Sequence, residues 1–160
     1  MEILADVSEI PIQRPRKKQK DKYSGKKKDH TLKFEIGMST DGEIIHISKV
    51  YNGKVHDFKI RQSESPFPRK AKKIVDLGYL GLQKKAQNVF LPFKGSKKKS
   101  LTPEEKIHNR SLAKIRIKIE HKIRQLKIFK IVKERYRNFG KKLHMRINLI
   151  AGIVNLKSGF

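Results

Sequence analysis

The sequence has no cysteine among its 160 residues. That excludes disulfides, thiolate metal sites and cysteine nucleophiles, and it fits a reducing compartment. A secretory leader pattern is also missing, because the opening Met1-Glu2-Ile3-Leu4-Ala5-Asp6 is acidic where such a leader is basic. The longest apolar stretch, near residues 147–154, falls far below the ~20 residues a membrane-spanning helix needs. No internal repeat is visible. Acid is scarce as well: 15 Asp and Glu stand against 40 Lys and Arg, a formal net charge of +25. Such a chain repels itself when compact. A polyanion relieves that repulsion, and nucleic acid is the commonest one. A ribosomal-type basic protein meets the same description. A membrane surface fits less well, since the charge is spread along the chain and not gathered on one amphipathic helix.

What is present is enough to fold. Hydrophobic residues make up 36% of the chain, and apolar runs recur between the charge runs, so one folded domain over residues 1–160 with basic loops is expected, not a disordered tail. Residues 2–6 read as a short strand ending in an acid. Pro11 and Pro15 then interrupt regular structure, and ten Lys/Arg crowd residues 14–33 around Gly25, marking a basic loop centred on 14–30. Residues 31–51 read as a hairpin: Leu32, Phe34 and Ile36 alternate with Lys33 and Glu35, and Asp41-Gly42 is a strong turn dipeptide. Asp57 is placed to cap a short helix over 58–63, which Pro66 and Pro68 end. Residues 73–76 and 88–93 read as two more short strands, followed by a basic turn at 94–99. Thr102-Pro103-Glu104-Glu105 announces a long helix, with an N-cap, a first-position proline and first-turn acids. It is expected to reach about residue 132, whole or with an interruption. A last helix over roughly 141–157 carries Leu143, Ile147, Ile150 and Val154 on one stripe. The order of elements suggests a mixed α/β sheet covered by helices.

Three acids stand out. Asp6 and Asp76 each close a strand-like apolar run, Ile3-Leu4-Ala5-Asp6 and Ile74-Val75-Asp76. Adjacent strand ends can carry two carboxylates to one sheet edge, where α/β folds place their sites. A bound Mg²⁺ or Mn²⁺ would relieve the repulsion between them. An aspartate that merely ends a strand and starts a turn gives the same pattern. For Glu120, a helical wheel at ~100° per residue puts Ile119, Leu112 and Ile123 at about −100°, −80° and −60°, with Ile117 and Ile128 near +60° and +80°. Glu120 is thus expected between two apolar flanks, away from the Lys114/Lys118/Lys122 face. An inward acid needs a partner. Arg116 or Arg124, four residues away, could supply one; so could a metal ion shared with the aspartates.

Several segments resemble one family. Asp6-Val-Ser-Glu-Ile-Pro-Ile-Gln-Arg-Pro15 is similar to the surroundings of the first catalytic aspartate of insertion-sequence-5-type DDE transposases. Tyr23-Ser-Gly-Lys-Lys-Lys-Asp-His-Thr-Leu-Lys33 looks like their basic signature, and Val55-His56-Asp57-Phe58 like the segment before their second aspartate. Asp76-Leu-Gly-Tyr-Leu-Gly81 resembles the second-aspartate motif. Arg116-Ile-Lys-Ile-Glu120, with Lys127 seven residues on, resembles the third. Ala113 stands where the wider group has Tyr, and Leu77 where a small residue is common.

The resemblance implies an α/β, ribonuclease-H-like mixed sheet flanked by helices. It implies two Mg²⁺ (or Mn²⁺) ions held by Asp6, Asp76 and Glu120, cleaving phosphodiesters and transferring strands of an insertion sequence. Arg14, Lys26, Lys27, Lys28, Arg116, Arg124 and Lys127 are then expected to contact DNA, at the element's ends and at the target. Residues 94–99 join them as a further phosphate-contacting segment. His56 and Asp57 either support the site or, for Asp57, cap a helix; His30 is expected to be structural. Self-association, or assembly with an upstream transposase half, is expected, as is a cytoplasmic, nucleoid-associated bacterial setting. A DNA-binding segment ordinarily precedes the first aspartate, so the chain is expected to be a catalytic half, from a split gene, a frameshift or a decayed element. The alternative reading is a non-catalytic nucleic-acid-binding protein, an inactive remnant or a regulator of an active transposase.

Overall fold

The structure, a computed structural model, describes residues 1–96, 100–138 and 142–160. Residues 97–99 of the expected basic turn, and residue 141 at the expected start of the last helix, lie outside them.

The apolar residues of Glu2–Pro11 and Asp29–Ser39 build the two longest strands, β1 and β3. Between them lie a one-turn helix, α1 (Gln19–Lys22), and a two-residue strand, β2 (Tyr23–Ser24). β1 and β3 run antiparallel, with Leu4 opposite Met38 and Asp6 opposite Ile36. The chain then turns through Asp41-Gly42, where Gly42 takes φ 105°, into β4 (Ile44–Ile47), which pairs back on β3 with a register shift at Gly37/Met38. A short β5 (Tyr51–Asn52) pairs with β3 as well. Helix α2 (Asp57–Ser63) leads to β6 (Lys72–Ile74) and, after two 3₁₀ turns, to β7 (Val89–Phe90). β6 lies parallel to β1, and β7 parallel to β6. The strand order is β2-β3-β1-β6-β7, with β4 and β5 on β3. The long helix α3 (Pro103–Leu126), the short α4 (Lys130–Lys133) and α5 (Leu143–Lys157) follow. This is the mixed α/β arrangement, a sheet flanked by helices, that the sequence suggested.

Each face of the sheet has its own apolar cluster. One joins Leu4, Ile10, Phe34, Ile36 and Met38 to Leu112, Ile119 and Leu126 of α3 and to Leu143, Ile147, Ile150 and Val154 of α5. The other joins Ala5 to Val75, Tyr79 and Leu82, with Val7, Phe58 and Phe67 packed against it. α3 begins where Thr102 predicted: its side chain accepts the Glu105 N–H, and Glu105 accepts the Thr102 N–H in return, a reciprocal cap. The helix stops at Leu126, and α4 resumes four residues later.

Lys33 and Glu35 alternate with apolar residues along β3, a pattern that a solvent-facing edge would also give. Instead β3 is buried on both faces, because α2 covers the second. Charges there are paired: Arg61 of α2 donates to Glu35 at 2.5 Å, and Lys33 reaches Asp57 at 3.2 Å and Glu9 at 3.7 Å. Burying one such charge alone would be costly.

Candidate active site

The parallel register decides where the first two acids stand. Leu4 is level with Ile74 across β1 and β6. Two residues further along each segment are Asp6 and Asp76, so both carboxylates fall at the same level and, by the two-residue alternation of strands, on the same face. That face is the one α3 covers. The expectation that both aspartates end strands is corrected for Asp6. β1 continues five residues past it, because Val7 to Pro11 pair with Thr31 to Glu35 of β3. It is β6 that stops, at Ile74, which leaves Asp76 on a turn beside the middle of β1. Asp76 N-caps this turn by accepting the Leu77 N–H at 2.5 Å.

The environment of Asp6 is unfavourable to charge. Burial, opposed in part by the Val7 N–H that its carboxylate accepts at 2.8 Å, pushes its pKa up to about 6. Arg116 pulls it down, while Asp76 and Asp57 push it further up. Asp57 therefore belongs to the electrostatics of this edge. It is not the cap of α2: His56 holds the N-cap position without a side-chain hydrogen bond, and Asp57 is the first helical residue, held by Lys33. Gly78 makes room for it, since a Cβ at that position would lie 2.5 Å from the Asp57 carboxylate. The Asp-x-Gly spacing thus brings the turn after Asp76 against Asp57.

Glu120 is placed differently from expectation. Of its two apolar flanks only one is buried: Leu112, Ile119 and Leu126 meet the sheet, while Ile117 and Ile128 are exposed. Lys122, expected on the solvent face, is buried and donates to Ser158. The contact stripe of α3 is rotated away from Glu120, which is exposed and has no ion pair or hydrogen bond among the described residues. The neighbouring Arg116 does not pair with it. Arg116 reaches Asp76 at 3.3 Å. The structure thus brings Asp6, Asp76 and Arg116 together and does not bring Glu120 to them; no three His, Asp or Glu side chains among the described residues stand close enough to hold a metal ion.

Of the residues expected to touch DNA, Arg14, Lys26, Lys27, Lys28 and Arg124 are exposed. Arg116 is largely buried and engaged by Asp76. Lys127 is half-buried; burial and then Lys27 lower its pKa, while Glu9 and Asp6 oppose that. It lines a recess of about 280 Å³ with Lys27, Lys133, Glu9 and Asp29. His30 packs edge-on against Tyr23, a structural contact. No helix among the described residues is long and apolar enough to cross a membrane.

The two aspartates suit a hard divalent cation. Their donors are carboxylate oxygens, and Asp6 is a half-buried acid crowded by two others, a site that positive charge would stabilise. Lys33, expected only as the end of a basic segment, instead anchors Asp57, a residue already expected near the site, at 3.2 Å. A charged pair recurring at inward positions of a strand and a helix start was the available signal for this contact.

The DDE superfamily endonuclease family matches residues 5–155. A probable transposase for insertion sequence element IS702, from Microchaete diplosiphon, is 40% identical over 154 residues, covering 96% of this chain and 56% of the relative. The chain therefore spans about half the length of the curated relative it matches. No solved structure matches it.

Proposed function

The chain belongs to the DDE superfamily endonucleases, and on that premise we propose that it is the catalytic part of a DNA transposase, cutting and joining phosphodiesters at the ends of an insertion sequence. The observation that carries this reading is the parallel register that sets Asp6 beside Asp76, with the Asp6 carboxyl raised by burial and by its acidic neighbours. Endonucleases of this superfamily generally use divalent metals. Asp6 and Asp76 would hold them here, as two Mg²⁺ or Mn²⁺ ions. Glu120 is the proposed third carboxylate: it is unpaired among the described residues and lies one helical turn beyond the arginine that grips Asp76. Bound divalent ions supply Lewis-acid stabilisation of phosphoryl oxygens and a more acidic attacking hydroxyl or water.

The chain's own groups position the DNA. The exposed Arg14, Lys26, Lys27 and Lys28 neutralise phosphates along the basic loop, and Arg124 does so on α3. These contacts give affinity without sequence preference. Lys127, half-buried near Asp6 and Glu9, would hold a phosphate close to the carboxylates. DNA ends and target DNA are the proposed partners, with assembly into a larger transposase complex.

Incubating the chain with supercoiled DNA and Mn²⁺ or Mg²⁺ tests this reading. Nicking that requires the metal and disappears in Asp76→Asn, with the circular dichroism unchanged, is the expected result. Equal nicking by Asp76→Asn would refute the site. If the chain nicks only when supplied with the remaining part of a longer transposase, the same comparison is made in that mixture.

A further inference from the structure

Among the described residues, the acids at this edge each carry an internal cation except Asp6. Lys33 holds Asp57 at 3.2 Å, and Arg116 holds Asp76 at 3.3 Å. The Arg116 side chain is only 16% exposed, and its Nε is buried without a hydrogen-bond partner among the described residues. An arginine so placed has given up water on one edge of its guanidinium for a single carboxylate contact. It has done so although Glu120, four residues along the same helix, is exposed and unpaired among the described residues. Arginine's alternatives on a helix surface are worth little, so the partner it takes at the sheet edge is the informative one.

From this geometry we infer that Arg116 is a stand-in counter-ion: it neutralises Asp76 in the metal-free chain and must leave that carboxylate when a divalent cation binds. The inference rests on the reading of Asp6 and Asp76 as metal-holding residues. A guanidinium and a doubly charged ion cannot both sit against one small carboxylate without strong repulsion. The ion pair therefore lowers metal affinity by its own strength. Release also has a direction. The freed guanidinium, with its buried Nε–H restored to solvent, is suited to a two-pronged contact with a DNA phosphate. Arg116 is a positioning residue in this scheme, acting through Asp76 in one state and on DNA in the other.

The test is a Mn²⁺ titration of the whole chain, with free Mn²⁺ read by electron paramagnetic resonance. Asp76→Asn supplies the background. Arg116→Gln should bind Mn²⁺ roughly three- to fivefold more tightly than the unsubstituted chain, the range of a partly exposed ion pair. Lys114→Gln removes the same charge from the same helix, at an exposed position on another face, and should leave the affinity where it was. Unchanged or weaker binding in Arg116→Gln, or an equal gain in Lys114→Gln, overturns the inference while leaving the metal site standing. If neither the unsubstituted chain nor Arg116→Gln exceeds the Asp76→Asn background, the metal reading fails and takes the inference with it. A second readout avoids substitution: the Arg116 Nε–H resonance in the unsubstituted chain should shift as Mg²⁺ is added. A resonance that stays fixed while the metal saturates contradicts displacement.

Discussion

An aspartate set into a packed sheet face is hard to ionise, and Asp6 carries that strain at neutral pH. Its pKa rises from 3.8 to about 6, so between those values the folded chain binds a proton that the unfolded chain has released. Stability then falls as pH rises through this window and stays low above it. The loss is on the order of 2–3 kcal/mol for this group. In metal-free urea unfolding, Asp6→Asn should be more stable than the unsubstituted chain at neutral pH, and that part of its pH profile should flatten. Equal midpoints at neutral pH would contradict the cost of holding this charge half-buried. Glu120 makes the opposite case. Because it is exposed and unpaired among the described residues, Glu120→Ala should change stability by no more than ~0.5 kcal/mol while abolishing metal-dependent nicking. Full nicking activity in a folded Glu120→Ala chain would remove it from the site.

At the scale of elements, α3 carries both Arg116 and Glu120, and two features hold it in place. Ile119 is fully buried against the sheet, so Ile119→Ala should cost about 2–4 kcal/mol in thermal or chemical unfolding. Thr102 closes the reciprocal cap, and Thr102→Ala should cost about 1 kcal/mol. A Thr102→Ala chain as stable as the parent would mean the helix start is held elsewhere. These elements were legible in the sequence because their signals are local: the cap, the Asp41-Gly42 turn, and the Leu143/Ile147/Ile150/Val154 stripe, all four of whose members are buried. What could not be read is non-local. Glu120 has apolar residues on both sides, and only the sheet decides which side is covered. Lys33 and Glu35 alternate as a solvent face would, and only α2, arriving later in the chain, buries them. Likewise β1 outlasts its apolar run because β3 is long enough to pair with Ser8, Glu9 and Pro11.

The molecule as a whole is defined by its charge of +25, against which the acidic edge at Asp6, Asp57 and Asp76 is a small exception. That contrast makes the site stand out. On the proposed reading the basic loops would draw in the polyanion, and these three acids would serve the cations. DNA binding should therefore weaken steeply with salt. Replacing Lys26, Lys27 and Lys28 by Gln should reduce the slope of log affinity against log salt by up to about 0.9 for each phosphate that is no longer neutralised; an unchanged slope would place the DNA elsewhere. The most direct check of the whole account is anomalous diffraction from crystals grown with Mn²⁺. A peak lying within coordination distance of both Asp6 and Asp76, with Arg116 moved off Asp76, is the predicted result. Crystals saturated with Mn²⁺ that show no peak there, or one bound far from both aspartates, would contradict it.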